Sequence, residues 1–162
     1  MKTLRLFGLT LMAILLSVNF TSCSEDSDDP IKNPEKLVGE WFCIHEKYWG
    51  EYDGEKYSEE YSYDINDPEE DCSKWIITEG DGENEFIIEE YFYDGNKWRD
   101  DGYIKTILEG NKIIWESDYD DDDIVKDEIT YELKGDKLTI KIETVYKNGE
   151  YDNTEVIYKK IN

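Results

Sequence analysis

The sequence predicts an all-β fold, an antiparallel up-and-down meander of about eight strands. Three observations carry that expectation: segments in which apolar and polar residues alternate, turn dipeptides recurring between them, and no convincing helix longer than a turn or two. The clearest strand is "KLTIKIETV", residues 137–145, where Leu138, Ile140 and Ile142 oppose Thr139, Lys141 and Glu143, as in an antiparallel strand with one wet face. "EITYEL", residues 128–133, sets Ile129, Tyr131 and Leu133 against Thr130 and Glu132. In chain order "EWFCIHEKYW", "KWIITE", "EFIIEEYFY", "YIKTILE", "KIIWES" and "TEVIYKKI" are rich in β-branched and aromatic residues and supply the remaining strands. Between these runs stand Asp81-Gly82, Asp94-Gly95, Gly110-Asn111, Gly135-Asp136 and Asn148-Gly149, residues that tolerate the positive φ of tight hairpins. Residues 50–71, acidic and rich in tyrosine, read as a hairpin or long loop. A meander of this length removes its exposed edges by closing into a barrel, with a β-sandwich as the alternative.

The N-terminal part has a different character. Lys2 and Arg5 precede an apolar run from Leu6 to Leu16, too short for a membrane-spanning helix of about 18–20 apolar residues, so residues 1–22 are expected to be a cleaved secretory signal. Residues 23–36 hold two of the three prolines and no aromatic, which suits a flexible tether ahead of a folded domain over 37–162. "FTSC", ending at Cys23, resembles the cleavage site of bacterial lipoprotein precursors, although it differs from the commonest Leu-Ala-Gly-Cys form at all three positions before the cysteine. The resemblance implies that Cys23 becomes a lipidated N-terminus, anchored to the membrane by two or more acyl chains. The acidic "SEDSDDP" that follows is similar to the export tag of Bacteroidetes-type lipoproteins carried to the cell surface, a reading that leads and is compatible with that of a solvated spacer. Together these imply an outer-membrane lipoprotein of the cell envelope, exposed at the surface.

Charge narrows the partners. The chain carries 18 basic and 41 acidic residues, a net of −23, and loss of the two basic residues before Cys23 would take it to −25. Nucleic acid and anionic lipid headgroups would be repelled, which leaves neutral, apolar or cationic partners. An aromatic content of 14% nevertheless argues for a packed domain rather than a disordered acidic chain. With Cys23 assigned to the anchor, Cys43 and Cys72 remain, an even pair in an exported chain and hence an expected disulfide. It would stabilise by roughly 3–4 kcal/mol on the chain-entropy model. The alternative is two separately buried thiols.

"LVGEW", Leu37 to Trp41, resembles the Gly-x-Trp signature that opens lipocalins and the bacterial lipocalin-like domains, and "YIKTILEGNKIIWES", residues 103–117, is similar to a central hairpin of those domains. The resemblance implies a lipocalin-like β-barrel with an interior pocket for a small apolar or amphipathic ligand. Gly39 and Trp41 correspond to the signature pair, and Trp41 would close one end of the barrel. By alternation Cys43 and His45 face the same side as Trp41, which makes His45 a candidate ligand contact. Tyr91, Tyr103 and Trp115 on the middle strands are further candidates, since such rings either fill the core or suit the apolar faces of sugars.

Two acidic stretches offer hard oxygen ligands: Asp118, Asp120, Asp122 and Asp123 in one, and Asp64, Asn66, Asp67, Glu69 and Glu70 in the other. Neither fits an EF-hand loop, because Asp123 stands where the turn glycine belongs and Ile129 where the bidentate glutamate belongs. Solvated hairpin tips are expected there, and no metal is assigned. With one histidine, no nucleophile elbow, no glycine-rich phosphate loop and no Cys/His zinc spacing, the chain reads as a non-enzyme without a cofactor. Three functions remain: a lipid-anchored binding protein for a small ligand, a surface module recognising glycan or host protein through exposed aromatics and acids, and a structural accessory of an outer-membrane assembly.

Overall fold

A computed structural model describes residues 34–115 and 123–161. The expected signal segment 1–22, Cys23 with most of its tether, and Asp118, Asp120 and Asp122 lie outside the described residues. A short 3-10 turn, Pro34–Leu37, leads into nine strands: β1 (Gly39–Tyr52), β2 (Glu55–Ser62), β3 (Ser73–Glu79), β4 (Glu85–Tyr93), β5 (Trp98–Glu109), β6 (Lys112–Trp115), β7 (Ile124–Lys134), β8 (Lys137–Tyr146) and β9 (Tyr151–Ile161). All five turn dipeptides fall between strands. Gly110 and Gly135, at φ 66° and 61°, make the left-handed step that the tight β5–β6 and β7–β8 turns require. Residues 50–71 do contain a hairpin: Asp53 and Gly54, at φ 52° and 77°, turn β1 back into β2.

Every strand pairing is antiparallel, in the order β2-β1-β3-β4-β5-β6-β7-β8-β9, and β1 also pairs with β9. Thus β1 and β3–β9 close an eight-stranded barrel, and β2 is an additional strand outside the ring. The sandwich alternative falls on this closure, since β1 runs along β9 from Glu40 to Glu51.

Strand β1 is shared between two neighbours on its other edge. Its first part, Gly39–Phe42, pairs with β3, whereas His45–Tyr52 pairs with β2. Between the two parts lies a β-bulge: Cys43 pairs with Tyr158 but His45 with Ile157, so Ile44 is the extra residue. Tyr158 and Ile157 face opposite sides of β9, and therefore so do Cys43 and His45. Plain alternation had placed His45 beside Trp41. The bulge corrects this, turning His45 outward and bringing Glu46 and Tyr48 to the inner side.

The inner faces pack a continuous core. Trp41, Leu133, Leu138, Ile140 and Tyr158 are almost wholly excluded from solvent, and Trp75 stacks on Tyr158 with ring centres 4.5 Å apart. Trp41 sits at the closed end, its indole N–H donating to the Leu37 carbonyl at 2.7 Å. Lys160 lies over the Trp41 ring and donates to the Lys36 carbonyl at 2.7 Å, so its stem covers the end of the barrel while its charge is partnered. A Cβ on Gly39, where φ is 137°, would come within 2.8 Å of that stem. Gly39 and Trp41 thus act together: the absent side chain makes room for the lysine that roofs the indole.

Candidate functional site

The barrel interior has two layers of different chemistry. At the closed end Trp75, Ile77, Phe86, Ile88, Leu138 and Ile140 surround a residual cavity of only about 20 Å³. That is room for about one water and far below the several hundred Å³ of ordinary ligand sites. The interior pocket that the resemblance implies does not lie at this end, where large rings facing inward from neighbouring strands fill the space.

The second layer is polar and centres on Glu46. Its Oε2 accepts from the Tyr48 hydroxyl at 3.0 Å and the Tyr63 hydroxyl at 3.2 Å, and its Oε1 lies 3.4 Å from the donating Cys43 thiol. Nearby, Glu90 accepts from the Trp75 indole N–H at 2.9 Å. Burial, reinforced by the Glu46 carboxylate, raises Cys43, Tyr48 and Tyr63 well above their ordinary values, and burial does the same for Tyr158. All four therefore remain protonated at neutral pH. The Cys43 thiol is thereby an inert donor rather than a nucleophile.

Cys43 and Cys72 are both free and buried, which corrects the expected disulfide. The reason lies in the register. The β1–β3 ladder ends at Phe42 opposite Lys74, and one further step sets Ser73, not Cys72, opposite Cys43. Cys72 is one residue out of step and turns to the other side of the sheet, outside the core cluster that contains Cys43.

The other candidates are spread around the barrel. His45 Nδ1 lies 3.3 Å from Ser62 Oγ and its Nε2 3.6 Å from Glu60, so the ring belongs to the β1–β2 hairpin. Tyr91 stands on the outer face of β4, where Lys74 lies over its ring at 5.2 Å and over the Trp98 ring at 5.1 Å. Phe42, turned outward between two inward neighbours, is buried beneath Trp98 in an edge-to-face contact. Tyr103 is 67% exposed on the outer face of β5. Only Trp115 packs against the core from within the set of candidates.

Trp115 also lines a cleft. Among the described residues β6 and β7 share a single register pair, Lys112 with Thr130, and beside it lies this cleft, of about 560 Å³. Its inner wall is Ile113, Trp115 and Ile129, residues of the core or packed on it. At the rim Lys112 and Lys126 both reach Glu128, at 3.2 and 3.6 Å, and Lys126 also reaches Glu143 at 2.6 Å. The hydrogen bond to Glu143 holds the Lys126 ammonium above its ordinary value, and Lys112 holds the Glu128 carboxyl below its own. An apolar wall beneath paired charges suits an amphipathic molecule. Ile129 was visible as a core residue, but its role at the cleft depends on how β7 sits against β6, which no local motif announces.

A second cleft, of about 440 Å³, lies at the far end of the barrel, where Tyr52 and Tyr146 stand among Glu51, Glu150 and Asp152. Tyr146 donates to Asp152 Oδ2 at 2.9 Å and Tyr57 to Oδ1. In the 64–70 stretch Asp64 Oδ1 accepts from the Asn66 backbone N–H at 2.9 Å in an Asx turn. Among the described residues no three His, Cys, Asp or Glu side chains converge as metal ligands.

No protein-family model and no curated protein matches this sequence. Among solved structures the chain is similar to a DUF3598-family protein of unknown function from Nostoc punctiforme, at 12% identity and a TM-score of 0.39, over 78% of this chain and 48% of that one. It is also similar to an S-type phycobiliprotein lyase from Guillardia theta, at 10% identity and a TM-score of 0.44, over 83% of this chain and 93% of that one. The chain spans about half the length of the first of these.

Proposed function

We propose that this barrel is a lipid-anchored binding protein of the cell envelope that holds a small amphipathic molecule in the cleft between β6 and β7. One observation carries the reading: a cleft of about 560 Å³ with a core-derived apolar wall and a charged rim, inside the size range of small-molecule sites. The cleft replaces the lumen as the seat, because the lumen's apolar end is filled. Anchoring is supported by the sequence around Cys23, and the acidic "SEDSDDP" after it supports an outer-membrane, surface-exposed location.

The binding claim is tested with the solvent-sensitive probe 1-aminoanthracene, followed by native mass spectrometry for a co-purified molecule. Fluorescence is expected to rise on binding, and Trp115→Ala to weaken the affinity about tenfold. Equal affinity of the variant and the parent removes the cleft from consideration. Palmitate labelling tests the anchor separately: Cys23→Ala should lose the label, and equal labelling would refute anchoring.

A second reading, recognition of glycan by aromatic rings set among acids, is favoured by the cleft holding Tyr52 and Tyr146. A glycan array in which the parent binds and Tyr52→Ala does not would support it.

A further inference from the structure

We propose that the outer edge of β2 is a docking site for an extended, Lys- or Arg-rich segment of another protein, which adds to it as a further strand. Among the described residues β2 pairs with β1 alone. Every second residue of such an edge strand turns its N–H and C=O away from its neighbour, so β2 presents a row of backbone donors and acceptors.

Edge strands ordinarily carry a device that blocks such pairing: proline, a bulge, very short length or charged side chains. β2 has none of the first three, and its charges, mostly acidic, oppose a partner of like sign only. It runs regularly opposite β1 from Glu55 to Ser62, contains no proline and has a single lysine, Lys56. Both faces are exposed along its whole length.

Its charge selects the occupant. Glu55, Glu59 and Glu60 outweigh Lys56, in a chain of net charge −23. A second copy pairing edge to edge would bring two such strands together and be repelled. The chain's own "SEDSDDP" stretch has the wrong sign as well. A cationic segment meets complementary charge, and also ring faces: Tyr57 and Tyr61 lie on one side of β2, 38% and 47% exposed, with their hydroxyls engaged by Asp152 and Glu59. Backbone pairing would supply affinity and the acids and tyrosines the selectivity, the division of labour seen in strand addition generally.

The inference is independent of the β6–β7 cleft. It is tested on the full chain with short fluorescein-labelled peptides at low salt: one of alternating lysine and threonine, one of alternating glutamate and threonine, and the lysine peptide N-methylated throughout. The lysine peptide is expected to bind at least about tenfold more tightly than either of the others. Hydrogen exchange should show new protection at alternating β2 amides. The exposed double substitution Glu59→Lys with Glu60→Lys should shift the preference toward the glutamate peptide. Equal binding of the N-methylated peptide would reduce the contact to charge adhesion and overturn the proposal, as would no preference between the lysine and glutamate peptides.

Discussion

The two parts of β1 lie in one strand, yet they make different structures. Before Ile44 the strand bridges β9 and β3 and sends Trp41 and Cys43 into a dry core. After it the strand bridges β9 and β2, and sends Glu46 and Tyr48 into a polar layer. One inserted residue reverses which face is inside and coincides with the exchange of partner. The barrel is thereby divided along its axis into an end whose role is stability and an end where hydrogen bonds, acids and a free edge are concentrated.

The sharpest way to break the comparison is to remove the anchor of the closed end. Trp41→Ala should cost about 3–5 kcal/mol, the range for truncating a large buried ring, because the cavity is enclosed and the Leu37 carbonyl also loses its donor. Urea unfolding measures it. A loss below about 1 kcal/mol would mean that the closed end is not where the fold's stability resides.

At the other end the corresponding substitution acts through crowding rather than through a void. A Cβ on Gly50 would stand 2.6 Å from the Tyr57 hydroxyl and closer still to the Tyr151 carbonyl. Gly50→Ala should therefore cost about 1–3 kcal/mol by overpacking, and loosen β2 in hydrogen exchange more than β3.

How much of this was legible follows from the type of signal. Strands β3 to β9 could be read because their inner faces are apolar and their outer faces charged, and their turns because glycine or asparagine occupies them. The β1–β2 turn at Asp53-Gly54 was obscured by its neighbours, since β2 is polar on both faces and shows no alternation of hydrophobicity. The bulge was invisible: Cys43-Ile44-His45 contains no glycine or asparagine to mark it, and a one-residue shift exchanges every later side chain between faces. That single step misplaced His45 and hid Glu46. The unmade disulfide has a related cause, for it depends on the register between β1 and β3, which spacing along the chain does not encode.

The polar layer has its own signature in pH. Tyr48, Tyr63 and Tyr158 have folded values raised above the ordinary phenol value of about 10, so the folded state retains protons that the unfolded chain would release. Stability from these groups is fully present below about pH 10 and declines as pH rises from there toward the folded values. Glu46→Gln should make that decline shallower by removing the negative charge beside Tyr48 and Tyr63. At neutral pH it should cost about 1–2 kcal/mol through weaker hydrogen bonds. An unchanged alkaline profile would show that burial alone, and not the carboxylate, sets the two phenols.

The smallest effect belongs to the extra strand. Tyr57 of β2 reaches over β1 to donate to Asp152 of β9, and this bond raises the phenol to about 12. The side chain is nonetheless 38% exposed, so water competes for both partners once the hydroxyl is removed. Tyr57→Phe should therefore lower global stability by no more than about 0.5–1 kcal/mol. Asp152 keeps its bond from Tyr146, and so is not left as an orphaned carboxylate. The informative readout is local: amides of β2 should exchange faster while those of β8 and β9 hold, since among the described residues β2 pairs its backbone with β1 alone and the lost bond is a side-chain tie. Uniform loosening of the barrel would instead tie β2 to the core, and the division of β1 into a stabilising part and a presenting part would not hold.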